Sequence, residues 1–537
     1  MPDVTAAGAV SGPPIPRSAA PADSLRASAA IAAVTALVWH APSLWRGFFR
    51  FDDFAFLHAN GGLPLRDLLL LPHNEHVLPL WRLEVAALDA LFGINPLGWI
   101  VVGLATFAVV LVLAQRLLLA WGVGAMPRAL AVVIIGGWTQ WGEVLTGYFT
   151  LVLWLQVMAF AGLALLLQQR VAVPRPRTID SLLFTAVIAI APGFGEAALW
   201  VPMAVLVVAG VDAATDVNSG LTIRAAWWRQ RWPLGASAGS VVAGTVFYVW
   251  ALTRGDANAL HVSAASTVVT PGTRATLVLK FLADLIVAPW RVIDSAPLPD
   301  TVAAGLRAIV IAGTIAALGA ALWRSAPPLR RAAIVCMLVI GVHAVLVTVG
   351  RPFAPSAWPA KHIGVALIFF AMLVAIAIQA TLDRPGAGRF TPRAFVLVAA
   401  FYLTAQLASE TFAMRRGWPD GRREGWVLAE RRRAAIAFLR DSVVGPIVAA
   451  GIHDIPDLPA ETLARVSSQL ESYDLAVYDR FVLAPYPGIL IVREPDEPVI
   501  IPPGADVVND PFAAAGPALD SLTHKNAAVR RLYGLRH

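Results

Sequence analysis

The chain has 537 residues, of which 58% are hydrophobic and only 14% carry a charge. Soluble domains average about 25% charged residues, so this composition indicates an integral membrane protein. The formal net charge is +7, but the basic residues form no stripe interleaved with aromatic residues, which argues against a nucleic-acid partner. The single cysteine, Cys336, cannot form an internal disulfide and is expected to be a buried, unreactive thiol.

The N-terminal segment, residues 1–26, is rich in Ala, Pro and Ser and has no hydrophobic periodicity, which predicts a disordered cytoplasmic N-terminus. An apolar stretch at 28–46 follows, with no clear small-x-small cleavage site behind it. This stretch is therefore predicted to stay in the membrane as a signal anchor and to open a transmembrane domain at 27–411.

Apolar stretches of about 17–25 residues, the length that crosses a bilayer, recur through this domain and predict about eleven transmembrane helices. The expected fold class is an all-α polytopic membrane bundle. The predicted spans are 28–46, 97–121, 129–146, 148–168, 180–195, 197–213, 233–252, 302–323, 332–350, 363–382 and 393–411. A further stretch, 275–290, is short and contains Lys280 and Asp284, which favours an interfacial or re-entrant helix.

The charges of the loops indicate the orientation of the bundle. If the N-terminus is cytoplasmic, every inner loop is rich in arginine, as the positive-inside rule requires. This orientation puts the loop 47–96 and the C-terminal region 412–537 on the periplasmic side of a bacterial inner membrane. Residues 424–440 have a helical pattern and two later runs resemble strands, so 412–537 is predicted to be a small periplasmic α+β domain.

The outer loop 47–96 holds most of the candidate catalytic residues. Asp52 and Asp53 are adjacent carboxylates just past the first span, and carboxylates at a membrane boundary mark functional sites by default. Four more ionisable residues fall within ten positions of one another: His73, Glu75, His76 and Arg82. Such groups bind a metal, relay protons or hold a phosphate. The alternative is an interfacial loop whose polar side chains only snorkel to water.

Other outer connections contain further ionisable residues. Glu143 and Glu196 fall at turns between spans, where they could face one cavity or complement a helix dipole. Arg351 and Lys361 lie in a later outer loop, where cations suit either a phosphate or the anchoring of helix ends to lipid headgroups. His343 stands alone in an apolar span, which favours packing over ligation.

Five short motifs, by their order and topological placement, resemble the polytopic GT-C glycosyltransferases, the superfamily of protein O-mannosyltransferases and aminoarabinose transferases. They are Phe51-Asp52-Asp53-Phe54; His76-Val77-Leu78-Pro79-Leu80 with Leu91-Phe92-Gly93-Ile94-Asn95-Pro96; Trp141-Gly142-Glu143-Val144; Gly195-Glu196-Ala197; and Gly350-Arg351 with Lys361-His362. They span residues 40–370, and the family often has Arg-Tyr where this chain has Lys361-His362. No Gly-rich nucleotide-binding motif is present, so a transferase of this type needs a lipid-linked donor.

The resemblance implies a GT-C bundle whose periplasm-facing site transfers a sugar from a polyprenyl-phosphate donor, with inversion, to a glycan, lipid or protein acceptor. It implies Asp52 or Asp53 as the general base. The residues implied for the donor phosphate are Arg351, Lys361, His76 and Arg82, and the supporting polar residues are His73, Glu75, Glu143 and Glu196. Some members use a divalent metal (Mg²⁺ or Mn²⁺); here Asp52, Glu75 and His76 could bind one, although the resemblance does not require it.

Two other classes of protein stay open at this point. A transporter or flippase for lipid-linked sugars is expected to show an inverted repeat and Gly/Pro-broken spans in matching halves, and neither is clear here. A non-catalytic membrane scaffold would use its outer domain to bind partners. The paired carboxylates argue mildly against a scaffold.

Overall fold

The computed structural model shows a bundle of helices, with no strand among the residues it describes. Those residues are 64–70, 77–92, 96–138, 141, 152–173, 175–254, 271–323, 325–350, 360–384 and 392–415, with 30, 34 and 40. The α-helices are α1 (Leu65–Leu70), α2 (Pro79–Phe92), α3 (Pro96–Ala120), α4 (Ala125–Gly136), α5 (Val152–Val171), α6 (Thr178–Ile190), α7 (Trp200–Asn218), α8 (Ile223–Arg229), α9 (Arg231–Arg254), α10 (Pro271–Val287), α11 (Val292–Ser295), α12 (Asp300–Trp323), α13 (Pro327–Gly350), α14 (Ala360–Leu382) and α15 (Pro392–Arg415). Short 3₁₀ turns cover Ala191–Phe194, Glu196–Leu199 and Ala288–Trp290.

Eight helices in the described part of the chain are long and apolar enough to cross a membrane: α3, α5, α7, α9, α12, α13, α14 and α15. This confirms the prediction of an all-α membrane bundle over that part of the chain. Two further predicted spans correspond to α4 and α6, which are shorter apolar helices. The first predicted span, 28–46, lies almost entirely outside the described residues, and so does the predicted C-terminal domain from residue 416 onward.

The third predicted span, 129–146, was too long at its C-terminal end. Its helix, α4, ends at Gly136, and Gly137 follows it as the C-cap. The indole N–H of Trp141 donates a hydrogen bond to the carbonyl of Ile135 at 2.8 Å, which satisfies one carbonyl of the last turn. Consecutive glycines weaken a helix, and a side chain that caps its carbonyls helps to end it there.

The two ends of the bundle are called here the upper end and the lower end. At the upper end, α2 meets the start of α5 through Glu84 and Gln156, and the start of α14 lies beside α5 through His362 and Trp154. At the lower end, the Arg384 guanidinium donates hydrogen bonds to the carbonyls near the C-terminus of α12. Helix α12 therefore begins at the upper end.

Helix α14 is the centre of the bundle. In the most apolar part of α14, 83% of the residues are buried by the rest of the protein. In the corresponding part of α12, 0% of the residues are buried, so α12 is a peripheral helix that faces lipid. Gly364 lets the rings of Trp138 and Trp141 pack directly on α14, because a Cβ there would lie 2.7 Å from the nearest Trp141 atom. Lipid is as apolar as a leucine side chain, so close packing of this kind is what holds such helices together.

Helix α10 does not continue the series of spans. The helix before it, α9, ends at the upper end, where the Tyr248 hydroxyl donates to the carbonyl of Pro192 in the turn before α7. Since α12 also starts at the upper end, the end of α9 and the start of α12 lie on the same side of the bundle. Leu277, Phe281 and Leu285 form the buried face of α10. This path agrees with the interfacial or re-entrant helix that the sequence indicated.

Gly195, between the two 3₁₀ turns that precede α7, should not tolerate alanine. Its φ of 127° and ψ of 162° belong to a region that is essentially open only to glycine, and a Cβ there would collide with the Leu78 side chain. We expect Gly195→Ala to destabilise the fold by about 2–4 kcal/mol, from backbone strain and overpacking together. Thermal unfolding of the detergent-solubilised protein measures this loss.

The matched control for this substitution is Gly210→Ala. Gly210 lies inside α7, where an added Cβ would meet nothing within 4 Å, and alanine is the better helix former by about 1 kcal/mol. Gly210→Ala should therefore leave the unfolding temperature unchanged or raise it slightly. An equal loss in both variants would contradict the role assigned to Gly195.

Candidate functional site

Helix α2 presents one of the predicted phosphate-binding residues from inside the bundle. The helix begins at Pro79, whose fixed φ suits the first turn, and its apolar face buries Trp81, Val85 and Leu88 at helical spacing. Arg82 lies beside this face and is only 3% exposed. The sequence of α2 therefore places a guanidinium in the protein interior at the upper end.

The electrostatic state of Arg82 follows from that burial. Desolvation lowers the pKa of the guanidinium to about 10, which leaves it protonated at neutral pH. A buried cation is costly unless negative or polar groups face it. Arg82 therefore keeps its positive charge inside the upper end of the bundle.

A second polar contact on α2, between Glu84 and Gln156, was not predicted. The Gln156 side-chain amide donates to both carboxylate oxygens of Glu84, at 2.6 and 2.7 Å, and so ties α2 to the start of α5. Burial raises the pKa of the Glu84 carboxyl above its ordinary value, and the hydrogen bond from Gln156 partly opposes that rise. The sequence offered one signal for this contact, namely a carboxylate, Glu84, two positions from Arg82. Its partner, Gln156, is 72 positions away and could not be identified from sequence.

Four rings form an aromatic layer at the same end: the half-buried Trp154 and the buried Trp200, His343 and His362. The His343 Nε2–H donates to the carbonyl of His362 at 3.0 Å, which joins α13 to the start of α14. Trp154 packs edge-on against His362 with ring centroids 5.3 Å apart, and Trp200 packs against His343 at 5.9 Å. His343 is a packing histidine, as the sequence indicated.

Three of the predicted site segments converge through this layer. Arg82 lies on α2, which is bound to α5 through Gln156, and α5 also contributes Trp154 to the aromatic layer. Glu196 opens the 3₁₀ turn that leads into Trp200 and α7, and Lys361 lies in the first turn of α14, next to His362. The backbone positions of all three are thus at the upper end of the bundle.

The other predicted site residues lie outside the described part of the chain. They are Asp52, Asp53, His73, Glu75, His76, Glu143 and Arg351. Within the described ranges, no three His, Cys, Asp or Glu side chains are grouped closely enough to hold a metal ion. The candidate metal ligands Asp52, Glu75 and His76 are all outside those ranges, so the metal hypothesis stays a prediction.

Comparison with models of known protein families finds no match to this chain. The same holds for comparison with curated proteins and with solved structures. The site is therefore interpreted from its own residues and contacts.

The raised pKa of Glu84 predicts a specific dependence of stability on pH. A carboxyl whose pKa is higher in the folded than in the unfolded state binds its proton more tightly when folded. Stability therefore falls as the pH rises from the ordinary value of 4.5 through the folded pKa. We expect Glu84→Gln to flatten this part of the profile, measured as the unfolding temperature between about pH 4 and pH 8.

Gln156→Leu should act in the opposite direction. It removes the N–H that stabilises the Glu84 carboxylate, so the loss of stability with rising pH becomes steeper. Asp67→Asn is the control, because Asp67 is an exposed carboxylate on α1. If the Glu84→Gln profile coincides with that of the unmodified protein, the assignment of Glu84 is wrong.

Proposed function

We propose that this protein is a membrane glycosyltransferase of the GT-C type. It moves a sugar from a polyprenyl-phosphate donor to a glycan, lipid or protein acceptor on the periplasmic face of a bacterial inner membrane. The observation that supports this most is the convergence of the segments bearing Arg82, Glu196 and Lys361 at one end of the bundle. The first of these segments is itself part of the loop 47–96 that contains the Asp pair.

The proposed reaction is a single displacement at the anomeric carbon. The oxygen of the acceptor hydroxyl attacks the anomeric carbon from the face opposite the phosphate. As it attacks, one carboxylate, Asp52 or Asp53, takes the proton of that hydroxyl. The new glycosidic bond forms as the bond from the sugar to the phosphate oxygen breaks, which inverts the anomeric configuration. The electron pair leaves on polyprenyl phosphate.

Cationic groups stabilise the charge that grows on the departing phosphate. Arg351 and Lys361 are the first candidates for this role, with His76 and Arg82 as the second pair. Arg82 suits it because its charge is already held out of water, where electrostatic stabilisation is stronger. His73, Glu75, Glu143 and Glu196 are assigned to supporting polar contacts, and Mg²⁺ or Mn²⁺ at Asp52, Glu75 and His76 is an optional part of the proposal.

The test is reconstitution of the purified full chain in vesicles that contain a radiolabelled polyprenyl-phosphate sugar. The proposal predicts that label moves covalently to an acceptor and that the product has the inverted anomeric configuration. Movement of intact labelled lipid between leaflets without a new product would identify a flippase instead. Absence of both, across glycan, lipid and protein acceptors, would favour a scaffold and overturn the proposal.

A further inference from the structure

The short helix α8 lies at the lower end of the bundle, between two helices that are long and apolar enough to cross a membrane. Helix α7 starts at the upper end with Trp200, so its last residue, Asn218, is at the lower end, and α9 starts there at Arg231. Since only a few residues separate α8 from either helix, it lies at the level where the bilayer ends. Its exposed side chains and those beside it are called the α8 surface: Leu221, Ile223, Arg224, Trp227, Trp228 and Trp232.

The inner face of α8 fixes it to the bundle. Ala226 and Gln230, four positions apart, are both buried. At the end of the helix, the Arg229 guanidinium donates to both carboxylate oxygens of Asp216 on α7, at 3.2 and 3.3 Å. The fold therefore sets the orientation of α8 and with it the face that the helix turns outward.

The outward face of α8 is largely apolar. Ile223, Trp227 and Trp228 are 65%, 51% and 64% exposed. Two adjacent tryptophans that the protein leaves more than half exposed form an apolar patch, and such patches mark a contact with a membrane or a partner. Tryptophan is enriched where membrane meets water, because its ring is apolar while its indole N–H still donates a hydrogen bond. At the level of α8, these rings are suited to lie among lipid headgroups.

The charges of this segment complement an anionic layer. Between Asp216 and Asp256 the chain contains no acidic residue. Arg224 is exposed and lies one helical turn before Trp228, on the same side of α8. The Arg231 guanidinium lies over the Trp228 ring, 4.4 Å from its centroid, and so supports that ring from the start of α9. The α8 surface thus combines tryptophan rings with an exposed arginine, a composition typical of helices that lie in the membrane interface.

We propose that the α8 surface docks into the headgroup layer of the membrane at the lower end of the bundle and prefers acidic phospholipids there. Trp227 and Trp228 enter the layer, and Arg224 pairs with lipid phosphates. The positive-inside pattern predicts that this is the cytoplasmic leaflet, whose acidic lipids attract basic segments next to membrane spans. A lipid surface fits better than a protein partner because the patch lies at the bilayer level between two spans. The inference does not depend on the proposed transferase activity, because lipid contact is measured without turnover.

The experiment is fluorescence quenching at one site on α8 in the full chain, reconstituted in vesicles. Ile223→Cys supplies the attachment site for a fluorophore, because the single native cysteine, Cys336, is buried. The vesicles contain a nitroxide near the headgroup of either phosphatidylglycerol, which is acidic, or phosphatidylcholine, which is zwitterionic. The acidic lipid should quench the label at a mole fraction at least about fivefold lower than the zwitterionic lipid requires.

Substitutions in this labelled background test the role of Arg224. Arg224→Gln should lower the preference for phosphatidylglycerol by about fivefold, the contribution of one arginine near an anionic surface. Arg224→Lys keeps the charge and should keep most of the preference, which guards against a general effect on folding. Arg175→Gln is the matched control, because Arg175 is exposed at the same end of the bundle, between α5 and α6, and outside the α8 surface. This variant should leave the quenching unchanged.

Three results would overturn the proposal. Equal quenching by both lipids would mean that α8 contacts the bilayer without recognising its charge. Quenching by neither lipid, together with free access of a water-soluble quencher to the label, would mean that the surface faces water. Equal losses of preference in Arg224→Gln and Arg175→Gln would reveal a general effect of surface charge rather than recognition by α8.

Discussion

Asp52→Asn or Asp53→Asn is expected to lower the rate of sugar transfer by about 10²–10⁴-fold, the usual contribution of a positioned general base. Asparagine keeps the size of the side chain but cannot accept the proton of the acceptor hydroxyl. Insertion and folding should survive, because the change removes a charge from the membrane boundary, where a charge is costly. The rate is measured with the reconstituted protein and labelled polyprenyl-phosphate sugar, alongside its unfolding temperature.

Asp67→Asn is the control for this pair of variants. Asp67 belongs to the same loop, 47–96, but lies exposed on α1, so its loss should leave the rate unchanged. The transfer rates of the two variants identify the base, because only one of the two aspartates needs to take the proton and only its variant should be slow. Normal transfer in both Asp52→Asn and Asp53→Asn would rule out the assignment of either carboxylate.

Arg331→Ala should cause the largest loss of stability among the described ion pairs. The guanidinium of Arg331 holds both carboxylate oxygens of Asp212, with the Nη2–Oδ2 distance at 2.6 Å, and so fastens α13 to α7. Asp212 is only 10% exposed, and removing its partner leaves a nearly buried charge. Breaking a fully buried pair costs about 3–5 kcal/mol, and the partial exposure of Arg331 reduces this to about 2 kcal/mol.

Thermal unfolding in detergent measures this cost against two comparisons. Arg170→Ala removes a guanidinium that is 68% exposed and 3.5 Å from Asp180, and it should change stability by about 0–1 kcal/mol. The double replacement Asp212→Leu/Arg331→Met should recover most of the loss, because no charge is then left unpaired. Equal effects of Arg331→Ala and Arg170→Ala would contradict the importance of this pair.

The spans could be predicted from sequence because each depends on local composition. The predicted spans 302–323 and 363–382 correspond to α12 and α14, and the charged segment 275–290 was separated from them as a re-entrant or interfacial helix. Bilayer thickness sets the required length, so an apolar run is enough evidence. The prediction of 129–146 was wrong in extent because the cap that ends α4 comes from the Trp141 side chain, which a count of apolar residues does not detect.

The contacts of the site could not be predicted in the same way. Glu84 and Gln156 are 72 positions apart, and Asp284 and Arg307 are brought together only because α10 returns to the upper end beside α12. Such pairs depend on the packing of whole helices, which local patterns do not specify. The sequence did single out Arg82, Glu196 and Lys361 as candidates, because a charge in an apolar protein is itself a strong signal.

Mass spectrometry of cell-envelope glycans and glycolipids, from cells with and without this gene, tests the proposed transferase most directly. We expect one sugar-bearing species to disappear when the gene is absent. The unmodified protein should restore that species, and the Asp52→Asn or Asp53→Asn variant that lacks the base should not. Identical glycan and glycolipid profiles with and without the gene would contradict the proposed function.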